Sequence, residues 1–152
     1  MVTREQAVAW RSGQSGPVVL TNGVFDLLHC GHLEYLEAAR SFGAALVVGV
    51  NSDHSARQLG KGDGRPMVPA VDRARLLAGL DAVDRVVIFE EPTPLAVITA
   101  LRPDLLVKGG DYRRDQVVGA DLVESLGGRV ILVPLIPNRS TTLLVERIRG
   151  SS

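Results

Sequence analysis

The sequence holds a single cysteine, Cys30, so no disulfide can form within the chain, and a reducing cytoplasm is its expected setting. It has no charge excess either: 17 basic and 17 acidic residues cancel, leaving no global basic field to hold nucleic acid. No apolar run approaches the ~20 residues that span a bilayer. The first twenty residues lack the basic-then-apolar layout of a secretion signal. Neither a membrane nor nucleic acid is therefore expected as a partner. Internal repeats, low-complexity segments and linkers are missing as well. So are the dinucleotide glycine fingerprint and the P-loop, which excludes two common glycine-rich phosphate cradles.

Lysine is scarce in a more informative way. Of the 17 basic residues 15 are arginine, and the two lysines, Lys61 and Lys108, both sit against glycines in "GKGDG" and "VKGGD". Arginine-rich composition alone could leave two such residues by coincidence. A site for phosphate, which favours a slim ammonium on a flexible stem, accounts for the setting as well as the number.

What is present is an alternation. The 152 residues, 45% hydrophobic and 22% charged, suit one compact domain with its own core. "TREQAVAW" opens with a capping box, Thr3 to Gln6, and predicts a short first helix over about 3–13. Buried strands are predicted at 17–22, 45–51, 84–89, 104–109 and 129–135, each a continuous Val/Ile/Leu-rich run. Helices are predicted over 31–41 (ended by Gly43), near 70–80, from a Thr93–Pro94 cap and first-turn pair to Leu101, over 119–126, and from Ser140 onward. Residues 52–69, polar and glycine-rich, read as a long loop. Apolar strands alternating with helices predict a five-stranded parallel sheet covered on both faces. Such sheets take ligands beyond the carboxyl ends of their strands, where the strand order switches.

Three segments fall at those ends. After the first strand comes "GVFDLLHCGHLEYL" (23–36), with His29 and His32 flanking Gly31 at a strand-to-helix turn. A helix start presents free N–H groups and partial positive charge, and glycine lets an anion approach the backbone. Two imidazoles add directional donors, so the stretch suits a polyphosphate. Two merely satisfied core histidines are the plain alternative, less favoured for a pair around a glycine. A zinc site of Asp26, His29 and His32 is the other, disfavoured because His54, the remaining histidine, lies in the polar loop. Ser140, Thr141 and Thr142 put three hydroxyls at the start of the last helix, for capping or for an anion. Lys108-Gly109-Gly110-Asp111 follows the fourth strand and combines turn glycines with a cation and a carboxylate.

Gly23, Phe25, Asp26, His29, Gly31 and His32 fill the G-x-F-D-x-x-H-x-G-H pattern, and Ser140-Thr141-Thr142 the S-T-T, of the cytidylyltransferase-like nucleotidyltransferases, which the chain resembles. "VVGVNSD", "GRPMVPAVDR", "VVIFEEPTP" and "PDLLVKGGDY" are similar to the D-glycero-β-D-manno-heptose 1-phosphate adenylyltransferase branch, and the similarity runs over about 17–149. The resemblance implies a single Rossmann-like three-layer α/β/α domain over 1–152. It implies AMP transfer from ATP, with Mg2+, to a sugar 1-phosphate. His29, His32 and Lys61 would act on the reacting phosphates. Thr21, Asn22, Gly23, Phe25, Gly31, Lys108, Gly110, Asp111, Ser140, Thr141 and Thr142 would line the nucleotide site. Lys108, Asp111 and Arg73 would meet the acceptor. A separate sugar kinase would act upstream, and a homodimer is left open. Asn138 and Arg139 stand where relatives often have a glycine and an apolar or small residue before S-T-T, and Leu135 stands where cytidylyltransferases carry an arginine. A cytidylyltransferase for glycerol 3-phosphate and a non-catalytic nucleotide sensor are the competing expectations.

Overall fold

The five apolar runs pair side by side, because a strand buried on both faces must satisfy its backbone groups with neighbouring strands. In the computed structural model, which describes residues 1–150, they form β1 (Val18–Gly23), β2 (Ala45–Asn51), β3 (Arg85–Phe89), β4 (Leu105–Gly109) and β5 (Arg129–Val133). The order is β3-β2-β1-β4-β5, all parallel. Side chains alternate between two cores, Val18 and Leu20 facing one and Val19 the other. The first core is closed by α1 (Arg4–Ser12), α5 (Leu95–Leu101) and α6 (Ala120–Ser125). The second is closed by α2 (Cys30–Ser41) and α4 (Ala70–Ala78). This is the expected three-layer α/β/α sandwich. Among the described residues no helix is long and apolar enough to cross a membrane.

Local rules account for most boundaries. The Thr3 hydroxyl accepts from Gln6 N–H at 3.1 Å and the Gln6 side chain accepts from Thr3 N–H at 2.9 Å, the reciprocal cap read from the sequence. Two expectations need correction, and one element was not anticipated. The long loop starts with a helix, α3 (Asp53–Gln58), capped by Ser52, whose hydroxyl accepts from Ser55 N–H. Six residues are too few for a helical period to show. α5 begins at Leu95 with no side-chain cap, so Thr93 does not cap it. A 3-10 turn, Arg114–Gln116, interrupts the segment after β4.

The strand order reverses at β1, and the register shows how this makes a crevice. β1 and β2 match over six pairs, from Val18↔Ala45 to Gly23↔Val50. β1 and β4 match only at Val19↔Leu105 and Leu20↔Leu106, then separate. Tyr35 of α2 fills the gap: its hydroxyl donates to the Val107 carbonyl at 3.2 Å and lies 2.6 Å from the Thr21 hydroxyl. Burial pushes this phenol up to about 12, so it remains a neutral donor. The carboxyl ends of β1 and β4 are thus held apart, with the Val107 carbonyl paired to the Tyr35 hydroxyl.

Candidate active site

At the start of α2 the two histidines cap the helix together. His29 is the extended N-cap residue; its Nδ1 accepts from Gly31 N–H at 3.1 Å. In return, His29 N–H donates to His32 Nδ1 at 3.3 Å. With both Nδ1 atoms accepting, the network assigns each neutral ring its proton at Nε2. The rings stack at 3.9 Å between centroids, and Phe25 meets His32 edge-on at 5.4 Å. His29 Nε2 is buried and has no partner among the described residues, so one imidazole donor stands idle at the cavity wall. Gly31 is bare for a second reason besides anion approach. A Cβ there would lie 2.9 Å from the His29 ring and 3.0 Å from the Arg139 Cβ.

Burial, with the nearby His29 and Lys61, pushes the His32 imidazole down to about 4 from an ordinary 6.5. Burial and then Arg139 lower His29 as well. A group whose folded pKa lies below its unfolded value binds fewer protons in the folded state, so stability falls as pH drops through that interval. Unfolding midpoints measured from pH 8 down to 4 should therefore hold level above about 6.5 and decline below it. In His32→Asn, which keeps an acceptor for His29 N–H, that decline should be shallower. An unchanged slope would show that another group causes it.

The histidines form one wall of a cavity of about 520 Å3 that also includes Phe25, Gly31, Lys61 and the start of α7 (Thr141–Gly150). Ser140 Oγ caps that helix by accepting from Leu143 N–H at 3.2 Å, while Ser140, Thr141 and Thr142 all line the cavity. A second cavity, of about 380 Å3, is lined by Asn22, Gly23, Asn51, Thr93, Lys108 and Tyr112, among others. Val24 and Lys61 belong to both walls, so the cavities meet beneath the loop that carries Lys61. Burial and the neighbouring Lys61 charge lower the Lys108 ammonium pKa, and Lys108 Nζ stands 5.3 Å from the Tyr112 ring centroid. Two ammonium groups that disfavour each other across a cleft are stabilised by an anion between them.

Asp26 determines how far the loop can move. Its Oδ1 accepts from Met67 N–H at 2.8 Å and Val68 N–H at 3.0 Å, and its Oδ2 lies 2.9 Å from Arg65 Nε. This anchors the loop's far end, as α3 anchors the near end. Between them Gly60, Gly62 and Gly64 have positive φ, and a Cβ on any would meet nothing. The free span carrying Lys61 is therefore short. Both Asp26 oxygens are thus turned to the loop rather than toward the histidines. Among the described residues no group of three or more His, Cys, Asp or Glu could hold a metal ion.

Four expected contacts lie elsewhere. Arg73 is fully buried; it donates to the carbonyls of Val24, Asn51 and Val68 and to Asp53 Oδ1. It ties the ends of β1 and β2 to α3 and the loop, beneath the site and out of an acceptor's reach. Thr21 is buried against Tyr35 and lines neither cavity. Gly110 and Asp111 also line neither; Gly110 supports the chain at φ 113, and Asp111 is exposed. Further along, Arg113 pairs with Asp115, and Arg114 with Asp121 and Glu124, so these guanidiniums are solvated ion pairs. Tyr35, Asn51 and Arg65 were not named as site residues from sequence, and Thr93 was read there only as a helix cap. Tyr35 had a signal, since it lies three residues after His32 on one helix face. Asn51 and Arg65 lie within the family-like segments "VVGVNSD" and "GRPMVPAVDR", but nothing in their own spacing set them apart.

A parallel sheet with its switch at β1, an imidazole-capped helix start and a hydroxyl-capped second one define a phosphate-handling domain of the nucleotidyltransferase class. The chain belongs to the cytidylyltransferase-like family, whose model matches residues 20–148. "Bifunctional protein HldE" of Magnetococcus marinus is 57% identical over 145 residues, 95% of this chain and 29% of that protein. "Bifunctional protein HldE" of Geobacter sulfurreducens is 55% identical over 141 residues, 93% of this chain and 29% of that protein. The chain thus spans under a third of these relatives. The crystal structure of the lipopolysaccharide core biosynthesis protein from Thermoplasma volcanium superposes with a TM-score of 0.67 at 31% identity, covering 80% of this chain and 98% of that one. Pantoate-beta-alanine ligase from Francisella tularensis, complexed with beta-gamma ATP and beta-alanine, shares the fold at 15% identity with a TM-score of 0.60, covering 93% of this chain and 69% of that one.

Proposed function

We propose that the domain transfers AMP from ATP to D-glycero-β-D-manno-heptose 1-phosphate, releasing pyrophosphate and forming ADP-heptose. The observation that carries this reading is the pair of adjoining cavities that share Lys61. The first suits a nucleotide triphosphate and the second a phosphorylated acceptor, with the reacting atoms between them. The similarity to a lipopolysaccharide core biosynthesis protein supports a sugar acceptor.

The acceptor's phosphate oxygen is already ionised near neutral pH, so it attacks the α-phosphorus without a general base. The new P–O bond forms as the bond to pyrophosphate breaks, and the leaving group departs with the electron pair. The protein's work is to align two polyanions and to neutralise the charge that grows on the α-phosphate and the leaving pyrophosphate. The Nε2–H groups of His29 and His32 donate to the triphosphate. The α2 and α7 helix starts add backbone N–H groups, and Lys61 closes from above. Lys108 meets the acceptor phosphate, with Asn51, Thr93 and Tyr112 available to the sugar hydroxyls. Mg2+ would arrive with the triphosphate, in keeping with cavities rich in cations and poor in free carboxylates. When bound, it neutralises phosphate charge.

The test is pyrophosphate release across ATP, CTP and GTP with heptose 1-phosphate, other sugar phosphates and glycerol 3-phosphate. The expected result is the highest kcat/KM for ATP with the heptose phosphate. Preference for CTP with glycerol 3-phosphate would replace this assignment with a cytidylyltransferase. Nucleotide binding without release for any acceptor would make the domain a sensor.

A further inference from the structure

We propose that Arg139 is a further phosphate-binding residue, held on Glu34 in the free protein and transferred to the nucleotide's outer phosphates as they enter the first cavity. The proposal rests on the nucleotidyltransferase reading of that cavity.

Arg139 immediately precedes the three hydroxyls and lines the same wall as His29, Thr141 and Thr142. Its Cβ lies 3.0 Å from where a Gly31 Cβ would be, directly against the start of α2. The preceding Asn138 adopts φ 64, a left-handed conformation that asparagine tolerates better than most residues, and this turns the chain so that Arg139 faces the helix start. Its guanidinium pairs with the Glu34 carboxylate on α2. Both partners are nearly half exposed, at 46% and 41%, so the pair is weak and exchangeable. A terminal phosphate carries more charge than one carboxylate and suits the guanidinium fork in a bidentate arrangement. The idle Nε2 of His29 marks the same place as lacking an acceptor. Arg139 also depresses the His29 imidazole, the sign of a positive charge close to that ring. An incoming phosphate relieves both conditions.

The alternative is that Arg139 and Glu34 only tether the lead-in of α7 to α2. Calorimetric titration with Mg2+-ATP, without acceptor, separates the two in wild type, Arg139→Gln, Glu34→Gln and the double variant. Transfer predicts that Arg139→Gln weakens binding ~10–100-fold, as for loss of a hydrogen bond to a charged group. Glu34→Gln should bind at least as tightly as wild type, and in the Arg139→Gln background it should change nothing. Arg139→Lys, which keeps the charge without the fork, should recover part of the loss. Equal weakening by the two single variants, or wild-type affinity in Arg139→Gln, would overturn the proposal in favour of a tether. Wild type that binds no nucleotide would instead overturn the reading of the cavity itself.

Discussion

His32→Ala and His29→Ala should each lower kcat/KM for pyrophosphate release by ~10²–10³, the usual effect of removing one preorganised donor from developing charge. The two differ in what else they remove. His29 is the N-cap of α2, and losing a cap costs about 1 kcal/mol of stability. His29→Asn restores a good cap but has no atom at the Nε2 position, so it should melt like wild type and still be slow. His32 is neutral at pH 7 and donates from Nε2, so His32→Gln should stay folded and be slow as well. The double variant should lose less than the product of the singles, because each histidine orients the other and one missing ring already disorders its partner. Paired measurements of melting temperature and initial rate decide the matter. Wild-type rates in His29→Asn and His32→Gln would show that the imidazoles serve only to cap the helix.

Lys61→Ala should lower kcat by ~10² or more while leaving the acceptor KM within a few-fold, because Lys61 meets charge that develops only as the reaction proceeds. Its position explains why. It rides on the short glycine-flanked span between α3 and the Asp26 anchor, exposed in the free protein, yet it contributes to both cavity walls. Lys61→Arg should not restore the rate, since a planar guanidinium cannot replace a compact ammonium where the cavities meet. The same span should be open to trypsin after Lys61 in the free protein and protected by saturating nucleotide. A raised acceptor KM at unchanged kcat would make Lys61 a simple binding residue. Cleavage unaffected by ATP would argue that the span stays open during turnover.

The histidine chemistry was legible because it is local. The end of a strand, a turn and a helix start fall within residues 23–36, and Gly31 between two imidazoles supports the proposal of an anion site without knowledge of any distant contact. The cavities were only half legible. Lys61 and Lys108 stood out through their rarity, but that they approach each other depends on β1 and β4 separating after two matched pairs. Arg73 shows the opposite failure. In sequence it is a basic residue in a helix after the loop, indistinguishable from one that meets a substrate. Only the folded chain brings three carbonyls and Asp53 around it, and a buried guanidinium with those partners acts as a strut. Thr93 was misread for a related reason: it resembled a cap because a proline and an apolar run follow it, while the helix starts later and leaves its hydroxyl on the second cavity.

By itself the sequence determined the layers of a parallel α/β sandwich, the two helix starts that carry the histidine pair and the three hydroxyls, and the family whose motif they fill. All three depend on neighbours within a few residues, where hydrophobic period and backbone hydrogen bonding decide the outcome. Tertiary structure alone decided that two cavities meet under one lysine, that Asp26 anchors a loop, and that Arg73 supports the site from below. Each of these depends on which carbonyl or charge arrives from a distant segment, and a buried polar group takes whichever partner the packing delivers.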